Sequence, residues 1–286
     1  MENNNETSTT VLEPPPPTVL PPPTNPFAER AAAEAKQPKK PSLLSQITSR
    51  KRRRPIFGLL YGPAGVGKST FGSTLPRPIF INCERGLDQI TCDRFPAPKT
   101  LADYKRQILA IAEESHDYES VVIDTADGLD LLIQAEICRA GKVNSIEDFG
   151  YGRGWTLARE IWVKILDRLT EMSERWNVLL IAHAAVKTIT DPQLGAPYDQ
   201  WQLRLQDKSA DIIKQSVDLL LFAQLARTID KETPKARKGR AITSEDREMW
   251  TSPITGVVAK NRFNLPNPMA FEWEALEKAI TDFYGK

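Results

Sequence analysis

From residue 56 onward the chain alternates two hydrophobic patterns. Unbroken apolar runs at Ile56–Tyr61, Pro78–Cys83, Ser120–Asp124, Asn177–His183 and Val217–Phe222 suit strands buried on both faces of a parallel sheet. Between them lie helix-compatible stretches: Ser69–Leu75, Thr100–His116, Leu129–Arg139, Trp155–Trp176 and Ser209–Gln215. In the longest, Leu157, Ile161, Ile165, Leu169 and Met172 recur at helical spacing and mark the face that packs on the sheet. Val257–Lys260 offers a further strand and Trp273–Tyr284 a closing helix. This alternation predicts an α/β fold with a mainly parallel central sheet flanked by helices. The charged stretch Thr228–Glu248, broken by Pro234 and Gly239, predicts an excursion or a flexible surface hairpin.

Composition separates the first 50 residues from the rest. Ten of the 22 prolines precede residue 42, and Val11–Pro17 and Val19–Pro23 form an imperfect proline-rich repeat. Such runs favour extended polyproline II and cannot build a core. Residues 1–50 therefore predict a disordered, proline-rich and basic tail, a semi-stiff linker or a docking site for a protein partner, ahead of one domain at 51–286. No acidic residue lies between Glu34 and Glu84, and Arg50–Arg54 is an unbroken cationic run. That run could touch nucleic-acid phosphates or simply solubilise the flank; with Lys39 and Lys40 it also resembles a nuclear-localisation signal.

Other composition narrows the classes. Net charge is +1, and the three cysteines (Cys83, Cys92, Cys138) form no C-x-x-C pair, so neither a metal-site spacing nor a disulfide framework is present. Three reduced thiols and the absence of an apolar stretch of about 18–20 residues predict a cytoplasmic protein without a membrane partner.

Chemistry enters at Gly62-Pro63-Ala64-Gly65-Val66-Gly67-Lys68-Ser69, a full G-x-x-x-x-G-K-[ST] pattern between a strand signal and a helix signal. Glycines let the backbone turn its N–H groups toward phosphate oxygens, and the helix opened by Lys68, Ser69 and Thr70 adds its N-terminal dipole. Lys68 would reach the β- and γ-phosphates of ATP, and the Ser69 hydroxyl would sit on Mg²⁺. A second carboxylate on the magnesium side is expected at the end of a buried strand. Asp124, closing Val121-Val122-Ile123-Asp124 about 55 residues after the loop, supplies it in the Walker B pattern.

Hydrolysis also needs a group to orient or deprotonate water. Many AAA-type ATPases carry Glu directly after the Walker B Asp, but Thr125 stands here. Glu84 leaves the second strand at the same sheet edge as the phosphate loop, in Asn82-Cys83-Glu84-Arg85-Gly86-Leu87-Asp88. At that point the chain resembles the RecA-like recombinases, and the resemblance implies that Glu84 is the catalytic base, with Asp127 as fallback. It implies too that His183, closing Asn177–His183, is a γ-phosphate sensor, in a place where Gln or Asn is commoner; otherwise it is a core histidine. Val258-Ala259-Lys260-Asn261-Arg262 resembles the late K-x-[KR] element of such proteins, which implies that Lys260 and Arg262 reach a neighbour's γ-phosphate across a subunit interface. A charged edge strand is the plainer alternative.

Together with Asp148–Gly152, these elements resemble the phage ATP-binding proteins of RecA-like fold that act in single-strand annealing and recombination. The resemblance implies a homo-oligomeric ATPase, ring or filament, that binds single-stranded DNA through two loops. They are Ala140–Trp155, with Lys142, Tyr151 and Arg153, and Ala184–Asp207, with Lys187, Tyr198, Trp201 and Arg204. Cations would follow phosphates while aromatics stack on bases. Rival classes are another nucleic-acid motor, such as a helicase or packaging ATPase, a nucleotide kinase using Lys235–Arg240 as a lid, and an ATP-gated binding protein with little turnover.

Overall fold

Six strands form the heart of the sheet: β1 (Phe57–Gly62), β2 (Pro78–Asn82), β3 (Asp93–Arg94), β4 (Ser120–Asp124), β5 (Asn177–Thr190) and β7 (Leu219–Asp230). They are all parallel and lie in the order β7-β1-β5-β4-β2-β3. The computed structural model describes residues 44, 47–49, 51–84, 86–191, 195–230 and 240–285, with only the backbone given at 227–230 and 240–245. The chain divides into Met1–Arg50 and Lys51–Lys286, and the sheet with its helices belongs to the second unit. The tail expected at 1–50 lies outside the described residues apart from Leu44 and Ile47–Ser49.

The apolar runs become strands because both faces of the sheet are covered. On one side Phe57, Leu59, Tyr61, Val121, Ile123, Val178 and Leu180 meet α2 (Leu101–Glu113), α3 (Ala126–Gly141), α4 (Arg153–Met172) and α5 (Asp207–Ser216). On the other, Leu60, Phe80, Val122, Leu179, Ile181 and Leu221 meet the short α1 (Lys68–Ser73) and the closing α6 (Trp273–Gly285). The α/β architecture with a mostly parallel sheet flanked by helices is therefore the one expected. Helix α3 begins earlier than periodicity indicates. The Thr125 hydroxyl accepts from the Gly128 N–H and caps the helix directly after β4.

One expectation changes at the sheet margins. From Ala184, β5 leaves the parallel sheet and pairs antiparallel with β6 (Pro197–Leu203), in register from Ala184↔Leu203 to Thr190↔Pro197. The segment read as a long loop is thus a hairpin. Its sequence shifts from the buried run of β5 to alternating half-buried and exposed positions at Ala185–Thr190. Of the two alternatives for Thr228–Glu248 the hairpin is the one found, β7 pairing with β8 (Arg240–Trp250), while 231–239, with the Lys235–Gly239 part of the expected lid, lies outside the described residues.

At the amino edge of the sheet the basic run acts as a staple. Asp218, buried just before β7, receives Arg54 at 2.8 Å and Arg262 at 2.9 Å. Arg52 and Arg54 both reach Glu174, and Lys51 lies 4.1 Å from the centre of the Phe283 ring. Residues 51–54 thus join the start of β7, the end of α4 and the closing helix, instead of offering a free cationic flank. Arg50 lies outside the described residues.

Candidate functional site

The phosphate loop, Gly62–Gly67, runs from the carboxyl end of β1 to α1. Gly65 and Gly67 have φ of 77° and 94°, the left-handed region that side chains resist. Gly62 faces a different constraint: a Cβ there would run into the Ala223 carbonyl of β7. Pro63 and the buried Val66 shape the loop, while Ala64, Gly65 and Thr70 are exposed at its mouth. Lys68 is folded over the loop, its Nζ donating to the Gly62 carbonyl at 3.0 Å and the Pro63 carbonyl at 2.9 Å. Burial lowers its pKa, and Asp124, Asp127 and Glu84 oppose that fall.

Asp124 ends β4 and is 5% exposed. Burial raises its pKa, and a hydrogen bond with the Ser69 hydroxyl works against the rise. A hydroxyl beside a carboxylate supplies hard oxygen donors of the kind Mg²⁺ takes, the other positions going to waters and substrate phosphates. Ser69 and Asp124 would therefore hold Mg²⁺ brought in with a nucleotide. Both line a cleft of about 490 Å³ together with Ala64, Gly67, Lys68 and Glu84.

Glu84 reaches this cleft because two close contacts bring the end of β2 onto β4 and α3. The Cys83 N–H donates to the Asp124 carbonyl at 2.7 Å. Gly128, lacking a Cβ, lets the first turn of α3 lie on the Cys83 carbonyl. Burial there pushes the Cys83 thiol up to about 12, so it takes no part as a thiolate. One oxygen of Glu84 then accepts from the Thr125 hydroxyl at 2.8 Å and lies 3.0 Å from His183 Nε2. Burial alone would raise the Glu84 pKa, but the hydrogen bonds of Thr125 and His183, with the charges of His183 and Arg204, take it below the usual carboxylate range. A carboxylate kept ionised, oriented and beside a phosphate cradle can accept a proton from water.

His183 is opposite Gly62 in the β1–β5 register, so the sensor candidate adjoins the phosphate loop. Asp127 is differently employed from the fallback base expected of it. Its Oδ2 accepts from the His183 N–H at 2.8 Å, and its Oδ1 pairs with Arg204 Nε at 3.2 Å. It therefore anchors the root of the β5–β6 hairpin. Thr125 and Arg204 join the site without having been expected there. A threonine before Ala126-Asp127-Gly128 is a readable capping signal, whereas Arg204 carries no local one.

Lys260 and Arg262 are brought elsewhere. Lys260, in β9 (Lys260–Asn261), pairs with Leu220 near the start of β7, at the edge of the sheet opposite the phosphate loop. Its Nζ donates to the Lys214 and Gln215 carbonyls at 3.0 and 2.7 Å, capping the end of α5, while Arg262 is held by Asp218. Both cations thus have partners within the chain, at the edge of the sheet away from the phosphate loop.

The two loops expected to carry cations and aromatics separate in the same way. Trp201 stacks on Phe222 in the core, 5.7 Å between ring centres, and Lys187 pairs with Asp207 at 2.5 Å. Tyr198 is half-buried on β6. Tyr151, by contrast, is fully exposed in a left-handed turn, with exposed Lys142 and Arg153 nearby in sequence. Lys208 donates to Thr156 at 3.1 Å, bringing the first turns of α4 and α5 together just after the hairpin.

Comparison with known proteins gives two findings. A family model described as an AAA domain matches residues 54–263. The chain is also 26% identical over 231 residues to the SPbeta prophage-derived uncharacterized protein YorG of Bacillus subtilis (strain 168), a match covering 78% of this chain and 65% of that protein. The chain thus spans less than two thirds of the relative's length.

Proposed function

The chain belongs to the AAA-domain family of P-loop ATPases, and from that premise we propose that it hydrolyses ATP to control a grip on single-stranded DNA, in annealing or strand pairing. The observation that carries this reading is the Glu84 carboxylate, shared by Thr125 beside the magnesium-side Asp124 and by His183 at the root of the β5–β6 hairpin.

In this reading Lys68 leaves the loop carbonyls for the β- and γ-phosphates, and Ser69 and Asp124 face Mg²⁺. Ionised Glu84 takes a proton from the attacking water, with Thr125 and His183 holding its orientation. Departure of the γ-phosphate changes what Glu84 and His183 face. Asp127 binds the His183 N–H, and the Arg204 N–H donates to the His183 carbonyl at 2.9 Å, so a displacement of His183 reaches both strands of the hairpin at their root. Tyr151 offers a stacking platform, and Lys142 and Arg153 supply cations for phosphates, a sequence-tolerant mode of binding. Protomers assembled along one strand, as ring or filament, would present it for pairing, and the cytoplasm supplies the ATP and DNA for this work.

The test is the ATPase rate with and without single-stranded DNA over a range of protein concentrations. The reading expects stimulation by DNA, steeper at higher protein concentration. Glu84→Gln should abolish turnover and leave nucleotide binding intact. ATP hydrolysis that neither responds to DNA nor accompanies DNA binding would remove the recombination reading. Undiminished turnover in Glu84→Gln would remove the base assignment.

A further inference from the structure

A cation the mechanism above does not use lies directly on the phosphate loop. Arg247 belongs to β8, the return strand of the β7–β8 hairpin, and is far in sequence from the loop. A Cβ built on Gly67 would lie 3.2 Å from Arg247 Nη1 and 3.4 Å from its Cζ, so the guanidinium rests against the backbone of this glycine. The same guanidinium lines the cleft that holds Lys68, Ser69, Asp124 and Glu84.

Two features aim it there. The β7–β8 ladder is regular from Phe222↔Trp250 to Leu225↔Arg247 and resumes at Arg227↔Thr243. Ala226 alone therefore faces Ser244, Glu245 and Asp246, a bulge immediately beside Arg247. Bulges bend a strand and redirect the adjoining side chains. Glycine at position 67 then leaves room for the guanidinium to approach the loop.

Among the described residues the other cations around the cleft are engaged. Lys68 is on the loop carbonyls, Arg204 on Asp127, and Arg94 on Asp88 and the Leu87 carbonyl. Glu248, beside Arg247 in sequence, accepts from Gln224 and Trp250 instead. Among the described residues Arg247 has neither a carboxylate nor a carbonyl partner. An arginine without a partner, lying against a loop that cradles phosphate, has the geometry and charge to take a phosphate oxygen.

We infer that Arg247 is a phosphate-binding residue for the bound nucleoside di- or triphosphate, supplied by the same chain rather than by a neighbour. The inference rests on the ATPase reading. It adds a second cation to Lys68 and makes the β7–β8 hairpin part of the nucleotide site.

The experiment is titration of wild type, Arg247→Ala and Arg247→Lys with fluorescent ADP and with a fluorescent, non-hydrolysable ATP analogue, alongside melting curves without nucleotide. Loss of one charge-assisted contact should weaken binding by roughly tenfold to a hundredfold in Arg247→Ala, with partial recovery in Arg247→Lys. A loss shared by both nucleotides assigns the contact to the α- or β-phosphate; a loss confined to the triphosphate assigns it to the γ-phosphate. Both outcomes support the inference. Without nucleotide, Arg247→Ala should melt with wild type, because the side chain has no hydrogen-bond or ion-pair partner among the described residues. Equal affinity in wild type and Arg247→Ala overturns the inference, as does an affinity loss accompanied by a lowered melting temperature without nucleotide. Absence of nucleotide binding by wild type overturns the ATPase reading itself.

Discussion

Glu84 shows how much a single carboxylate owes to its neighbours. Burial pulls its pKa upward, and the Thr125 and His183 hydrogen bonds reverse the direction. A depressed folded-state pKa keeps the carboxylate ionised above the ordinary value of 4.5 and down past it; the associated stability is lost as pH falls through the depressed value. The acid limb of the kcat profile should therefore lie below that of an ordinary glutamate. Thr125→Val removes one lowering contribution and leaves burial, so the limb should move to higher pH. It also removes the α3 cap, at a cost of about 1 kcal/mol, whereas Thr125→Ser retains the hydroxyl and should restore both. Steady-state ATPase rates across pH and urea denaturation measure the two effects.

At the scale of elements, the seam between α3 and α4 is held by a polar contact inside an apolar interface. Trp162 is fully buried on α4 and donates from its indole to Asp130 on α3 at 2.7 Å; Asp130 accepts also from Gln134. Burial raises the Asp130 pKa, so the carboxylate depends on both donors. Trp162→Phe keeps an aromatic ring but leaves that buried oxygen unpaired, and should cost about 1–3 kcal/mol. A lower urea midpoint with an unchanged slope is the expected result. Helix α4 was legible because its apolar face repeats regularly. The β5–β6 hairpin was not, because its second strand is mostly half-buried or exposed and finds its partners in other segments, β5 and Val257.

At the scale of the whole second unit, Lys51–Lys286, Asp218 ties its start to the segment before its closing helix. Arg54 enters just before β1, Arg262 comes shortly before the closing helix, and both converge on this buried carboxylate. Arg262→Ala should therefore lower the denaturation midpoint while kcat in folded protein stays at the wild-type level. A cation reaching a neighbour's nucleotide would give the reverse: unchanged stability and a lost kcat that depends on protein concentration. Denaturation and ATPase assays on one preparation separate the two roles. Exposed partners weaken the staple, and its worth comes from the burial of Asp218, which would be costly to leave unpaired.

The phosphate loop, the strand ending in Asp124 and the α/β layering could be read from the chain because each rests on local rules. Glycines that permit left-handed φ, a lysine next to them and an apolar run long enough for a buried strand are all contiguous in sequence. Strand order decided the rest. Placing β5 between β1 and β4 puts His183 beside Gly62 and within reach of Glu84, residues 99 positions apart. Pairing β7 with β1 and β8 with β7 sets Arg247 over Gly67, and pairing β9 with the start of β7 directs Arg262 to Asp218. Charged side chains are flexible and carry no periodicity that names their partners, so only the packed sheet could show which cations lie on the phosphate loop and which pair with carboxylates and carbonyls elsewhere in the fold.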